Sequence, residues 1–264
     1  MSEIEKEKPS TPPKSRGGSR DVHARLVENL EYLSLTRLAD NYREHVANAA
    51  KGNQSHLDFL DAVLADESAA RFDRRVSRRI TRARFPVTKA VEAFDWNHPT
   101  KIDRQRVLSL FDLDFLEKKR NALFIGGTGL GKTHLAIALG VAAAKKGFNV
   151  VFRTAMEIVN ELQAAQSDST FLKKLRSLTL PTLLIIDELG YLPIDKLGAD
   201  LLFQVVSQRY ERGSIILTTN RVPKEWAKVF NDATVASAVL DRLAHHSELV
   251  VIEGKSFRTE RAAS

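Results

Sequence analysis

Two hydrophobic rhythms divide the chain. From about residue 21 to 84, apolar residues recur at helical spacing: Leu26, Leu30, Leu33 and Leu38 form one stripe. Leu57, Leu60, Val63 and Leu64 form another, and Gly52-Asn53 marks the break between them. Pro86 stops the last of these helices. From 121 onward, short β-branched and nearly continuous apolar runs alternate with helical stretches. The candidate strands are 121–126, 149–153, 182–187, 214–219 and 248–252. Apolar runs of this kind suit strands covered on both faces, so the pattern predicts a parallel sheet flanked by helices, an α/β fold. The organisation expected is a helical N-terminal domain at 21–86, a linker at 87–120 and the α/β domain at 121–264. Residues 1–20 carry Pro9, Pro12, Pro13, Gly17 and Gly18 and almost nothing apolar after Ile4. Such a segment cannot offset its chain entropy by burial, so a disordered basic tail is expected there.

Candidate chemistry sits where the first strand ends. Gly126, Gly127, Thr128, Gly129, Leu130, Gly131, Lys132 and Thr133 fit the phosphate-loop pattern G-x-x-x-x-G-K-[ST] at every fixed position. The Ala122–Ile125 strand precedes it and an Ala/Leu-rich helix beginning at His134 follows. Glycines let successive N–H groups point into one concavity, and the helix N-terminus adds partial positive charge. Lys132 would reach the β- and γ-phosphates of ATP, and the Thr133 hydroxyl would ligate Mg²⁺.

Two further strands end in polar residues. Leu183-Leu184-Ile185-Ile186 runs into Asp187-Glu188. Mg²⁺ keeps several waters and takes one or two carboxylates, so Asp187 is expected to hold the ion through water. Glu188 is expected to polarise the attacking water. Ile215–Thr219 ends at Asn220, an amide able to bond the γ-phosphate and that water. Arg242, on a helix just before the last strand, is a candidate to stabilise γ-phosphate charge from a neighbouring subunit. The plain alternative for Arg242 is an ion pair with Asp241 or Glu248. Arg209 and Arg212 are further candidates for contacting nucleotide or an adjacent subunit. His245-His246, adjacent on a helix, should diverge by ~100° and receive no ligand role.

Composition adds a polyanion partner. Of 264 residues, 40 are Lys or Arg and 33 Asp or Glu, for a net charge of +7. The excess is concentrated: Arg71, Arg74, Arg75, Arg78, Arg79 and Arg82 fall on one helix face spanning roughly 140°. Asp73 is the only acid between 71 and 84, whereas a solvated helix usually interleaves acids for i,i+4 pairing. Duplex DNA phosphates would relieve the repulsion among these arginines. Phe72, Val76, Ile80 and Ala83 form a separate stripe, expected to seat the helix on the rest of the N-terminal domain. Lys14, Arg16 and Arg20 of the tail could add to DNA binding. With no cysteine, disulfides and thiol catalysis are excluded. No apolar run approaches the ~18 residues of a membrane span, and no leader-like apolar region follows the N-terminus. A soluble cytoplasmic protein is expected, with no membrane partner.

The phosphate loop, Asp-Glu-Leu-Gly-Tyr (187–191), Arg-Tyr-Glu-Arg-Gly-Ser (209–214), Thr-Thr-Asn-Arg (218–221), Glu225-Trp226 and Leu-Asp-Arg-Leu (240–243) with His245-His246 together resemble one family. So do the arginine run ending Arg-Ala-Arg-Phe-Pro and the following Phe94-Asp95-Trp96. They are similar to the IstB-like transposition helper ATPases of bacterial insertion sequences, within the AAA+ superfamily and close to bacterial helicase loaders. The likeness covers about residues 25–258. It implies an AAA+ sheet, ATP-dependent self-assembly into a homo-oligomer on duplex target DNA, recruitment of a cognate transposase, and DNA-stimulated ATP hydrolysis. It also implies that the chain does not itself cut or join DNA. Only about a dozen residues follow the last strand, too few for the C-terminal helical lid usual in AAA+ proteins, so the lid is expected to be absent. A helicase loader is the nearest alternative. A small-molecule kinase lacks a use for the arginine face, and a GTPase would need an Asn-Lys-x-Asp motif. A nucleotide-gated DNA-binding scaffold with little turnover is the alternative from another class.

Overall fold

The computed structural model describes residues 22–167 and 169–257. The expected basic tail, with Lys14, Arg16 and Arg20, lies outside the described residues. Helices α1 (Val22–Tyr32), α2 (Thr36–Gly52) and α3 (His56–Ala83) are followed by the short α4 (Arg104–Ser109) and α5 (Asp114–Glu117). Then come β1 (Asn121–Gly126), α6 (Lys132–Lys146), β2 (Val150–Thr154), α7 (Ala155–Ser167), α8 (Phe171–Thr179) and β3 (Leu183–Leu189). The described order ends with α9 (Lys196–Arg209), β4 (Ser214–Thr219), α10 (Trp226–Phe230), α11 (Ala233–Ala244) and β5 (Ser247–Ile252). The chain divides into two compact units, one ending at Arg75 and the other beginning at Val76, so the division falls inside α3.

In the first unit, Leu30, Tyr42 and Val63 are buried, whereas Leu57, Leu60 and Leu64 of the expected second stripe are exposed. A buried carboxylate ties its helices together. Glu67 on α3 accepts from the Leu38 N–H at 3.0 Å and from Arg74 Nη2 at 2.8 Å. The residue before α2, Leu35, has no side chain able to cap it, so Glu67 satisfies one of its first free N–H groups from a different helix.

The second unit is built on a five-stranded sheet in the order β2-β3-β4-β1-β5, every pairing parallel. The continuous apolar strands do what their composition requires, burying both faces. Leu183 and Ile185 of β3 meet α6, while Leu184 and Ile186 meet the α7–α9–α11 side. Residues 87–120, expected as a linker, contribute Phe94, Val107, Leu110, Leu113, Phe115 and Leu116 to the α6 side of this core. Their apolar positions are too irregularly spaced to display a period, which is why they read as a connection. The stripe on α3 also divides differently: Ile80 and Ala83 pack into the second unit's core, and Phe72 is exposed.

Asn121 and Arg209 are the buried polar fasteners. Asn121 Oδ1 accepts from the Ile215 N–H at 2.9 Å, and its Nδ2 donates to the Leu243 carbonyl at 3.1 Å. Arg209, fully buried, donates to the carbonyls of Leu178, Thr179, Pro181, Thr182 and Ser214. It is therefore not available to nucleotide or to a second subunit. Burial lowers the pKa of its guanidinium to about 10, which still leaves it charged at neutral pH.

Candidate nucleotide site

The carboxyl ends of β1, β3 and β4, three adjoining strands, bring the polar candidates together, the place where open α/β sheets bind ligands. The phosphate loop leaves β1 at Gly126 and enters α6 at Lys132. Gly129 and Gly131 adopt φ of 74° and 82°, the left-handed region where a side chain is strained. Space forbids one too: a Cβ on Gly131 would lie 2.4 Å from the Phe94 ring. Lys132 is buried, its Nζ donating to the Gly127 carbonyl at 2.5 Å across the loop.

Asp187 is the centre of the polar set. Its Oδ1 accepts from Thr133 Oγ1 at 2.9 Å and from Thr218 Oγ1. Burial pushes its carboxyl above the usual range, opposed by the Thr218 and Thr133 hydroxyls and by the Lys132 charge. Thr218 carries only family likeness in the sequence, with no role of its own expected, although a threonine pair ending an apolar strand was a signal for one. Its hydroxyl also accepts from the Glu188 N–H at 3.0 Å. Glu188 itself is exposed and sits at φ 62°, where β3 and β4 shift register between Ile186 and Leu189. That irregularity turns consecutive carboxylates in different directions, one into the site's floor and one outward.

Asn220 follows β4, with its Oδ1 buried and lacking a hydrogen-bond partner among the described residues. Arg242 lies on α11, its Nη1 donating to the Ala238 carbonyl at 2.9 Å and its guanidinium 4.9 Å from the Phe203 ring centre. The pairing with Glu248 goes to Arg120 instead, at 3.9 Å.

An aromatic cavity of about 120 Å³ adjoins the loop. Phe94, His98, Leu130, His134 and Phe257 line it. His134 donates from Nε2 to the Ala90 carbonyl at 2.8 Å and meets Phe94 edge-on at 5.4 Å. His98 and Phe257 close the other side at 4.8 Å. Phe94-Asp95-Trp96 carries only family likeness in the sequence, because nothing local links it to a loop more than thirty residues later or to Phe257.

Among the α3 arginines, Arg74 is engaged by buried Glu67, while Arg71, Arg75 and Arg78 are exposed. The divergence expected for His245 and His246 fails because α11 ends at Ala244: their rings lie 4.0 Å apart, and Glu211 joins them in an exposed trio. Among the described residues, no helix is long and apolar enough to cross a membrane.

Comparison with known proteins accords with this geometry. A family described as IstB-like ATP binding protein matches residues 28–264. An ATP-binding protein of insertion sequence IS5376 from Geobacillus stearothermophilus is 38% identical over 234 residues, covering 89% of this chain and 93% of that protein. Its counterpart from insertion sequence IS21 of Pseudomonas aeruginosa is 38% identical over 229 residues, covering 87% and 86%. Among solved structures, DnaI shares the fold with a TM-score of 0.53 and 21% identity, over 66% of this chain and 93% of its own.

Proposed function

The chain belongs to the IstB-like ATP-binding proteins, and from that premise we propose that it is a cytoplasmic, DNA-stimulated ATPase serving transposition. It assembles as a homo-oligomer on duplex target DNA, recruits and stimulates a cognate transposase, and uses hydrolysis to let go. The observation that carries this reading is the meeting of Lys132, Thr133, Asp187 and Asn220 at the ends of adjoining strands, beside an aromatic cavity.

The residues present suit ATP and Mg²⁺. The loop offers its concavity, Thr133 and Asp187 offer hard oxygens, and Asn220 offers a buried acceptor awaiting a donor. The Thr133 hydroxyl and, through water, Asp187 would hold Mg²⁺, which would neutralise phosphate charge. The N–H groups of Gly126 to His134 cradle the phosphates, and Lys132 exchanges the Gly127 carbonyl for β- and γ-phosphate oxygens. Glu188, turned outward by its left-handed backbone, accepts a proton from water. Asn220 Oδ1 holds that same water in line. Arg242 reaches the γ-phosphate of the adjacent subunit, where guanidinium charge matches the charge the reaction develops. Phe94 and His134 hold the adenine.

The test is duplex affinity titrated with ATP, ADP and no nucleotide, alongside ATPase rate with and without duplex. Tighter binding with ATP and a faster rate on DNA are expected. Equal affinity in all three states removes the switch, and absent turnover in both conditions makes the chain a scaffold instead.

A further inference from the structure

The last two arginines of the α3 face lie within the nucleotide-binding unit, where an arginine of another helix joins them. Arg79 and Arg82, from the last turns of α3, face Arg176 of α8 across a cleft of about 320 Å³. Asn149, Val150 and Val151 form its floor at the start of β2, and Leu180-Pro181 forms its rim. Nothing in the sequence unites these residues, since Arg82 and Arg176 stand far apart in the chain.

Three guanidiniums around one opening repel one another unless acids intervene, and none does. No carboxylate pairs with Arg79, Arg82 or Arg176 among the described residues. Glu161, on the neighbouring helix α7, is already engaged by Arg153 at 2.9 Å and Lys174 at 3.0 Å. Nor is the cluster a chance meeting of mobile surface chains, because both walls are anchored. Ala83 is fully buried, and Phe85 packs edge-on against Phe152 of β2 at 6.1 Å. Leu175 and Leu178 fix α8 in the opposite core, and Arg209 holds the carbonyls of Leu178, Thr179 and Pro181 that shape the rim.

We propose that this cleft binds consecutive backbone phosphates of duplex DNA, with Arg176 the third contact beside Arg79 and Arg82. Guanidinium groups match phosphate oxygens in geometry as well as charge, and each contact releases condensed counterions. No aromatic side chain lines the cleft, so base stacking has no platform and the phosphate backbone is the ligand. The nucleotide-binding unit thus grips DNA directly. The cleft lies at the amino ends of the strands and the phosphate loop at their carboxyl ends, so the two ligands occupy opposite margins of one sheet. This inference rests on the proposed duplex binding.

The experiment measures duplex affinity against salt for the full chain with ATP present, using Arg176→Glu, the combined Arg79→Gln, Arg82→Gln, Arg176→Gln variant, and a separate Arg71→Gln, Arg75→Gln, Arg78→Gln variant. Arg176→Glu should weaken binding on the order of tenfold, and the triple cleft variant should flatten the salt slope by about 0.9 for each phosphate left without its arginine. ATP affinity should stay at the wild-type value in both, which also reports intact folding. Wild-type affinity and slope in both cleft variants overturn the proposal, while weakened binding in the Arg71/Arg75/Arg78 variant alone leaves DNA binding standing without the cleft. A wild-type chain that ignores duplex in every nucleotide state overturns both.

Discussion

The Thr133 hydroxyl donates to the Asp187 carboxylate at 2.9 Å, joining the first turn of α6 to the tip of β3. The same oxygen also takes the Thr218 hydroxyl from β4, so one buried acid gathers three elements. A carboxylate in that position serves a cation better than it serves the fold. Burial raises its pKa, so the folded chain favours the protonated form more than the unfolded chain does. The stabilisation is therefore fully present below the unfolded pKa and is lost as pH rises through the folded one.

Asp187→Asn should accordingly raise the melting temperature of the nucleotide-free protein at neutral pH. The advantage over wild type should shrink as pH falls through the carboxylate range. Hydrolysis should be lost in the same variant, since the amide is a poor partner for Mg²⁺. Parallel melts of the two proteins across that range check this, and a gap that does not change with pH rejects it.

Glu188→Gln should leave ATP affinity near wild type while slowing hydrolysis by ~10²-fold or more, the usual worth of a positioned base. Single-turnover rates separate the two effects. Wild-type turnover would place the base elsewhere.

How much of this was legible in the residues depends on how local each feature is. The phosphate loop, the carboxylate-tipped β3 and the five strands reveal themselves because glycines, apolar runs and terminal polar groups lie within a few positions of one another. Arg209 looks like a surface arginine at the end of a helix; only the convergence of five carbonyls from two other segments makes it structural. The aromatic cavity and the Arg79–Arg176 cleft are equally invisible, each assembled from segments far apart in the chain. The α3 stripe misleads for a related reason: its period is helical throughout, but a period does not say which core each turn meets.

Phe94→Ala should weaken ATP binding by about tenfold, ~1.4 kcal/mol, through loss of a ring that buttresses Gly131 and is proposed to hold the base. Inorganic triphosphate should be affected much less. Competition titrations with both ligands compare them, and equal losses would make Phe94 a support for the loop rather than a wall for adenine.

Arg209→Met provides the sharpest separation of a structural arginine from a functional one. The substitution keeps much of the side-chain volume but leaves the carbonyls of Leu178, Thr179, Pro181, Thr182 and Ser214 without their shared donor. The Thr182 carbonyl keeps the Ser214 N–H at 3.0 Å, but each of the other buried acceptors left without a donor costs about 1–3 kcal/mol where water cannot reach it, while removing a buried cation returns part of that. The expected net loss is ~3 kcal/mol or more in urea unfolding, read at unchanged slope. Protein that remains folded should bind ATP as wild type does, because none of the five carbonyls belongs to the phosphate loop or to the strand ends around Asp187. A variant of full stability with impaired nucleotide binding would return Arg209 to the site from which its burial removes it.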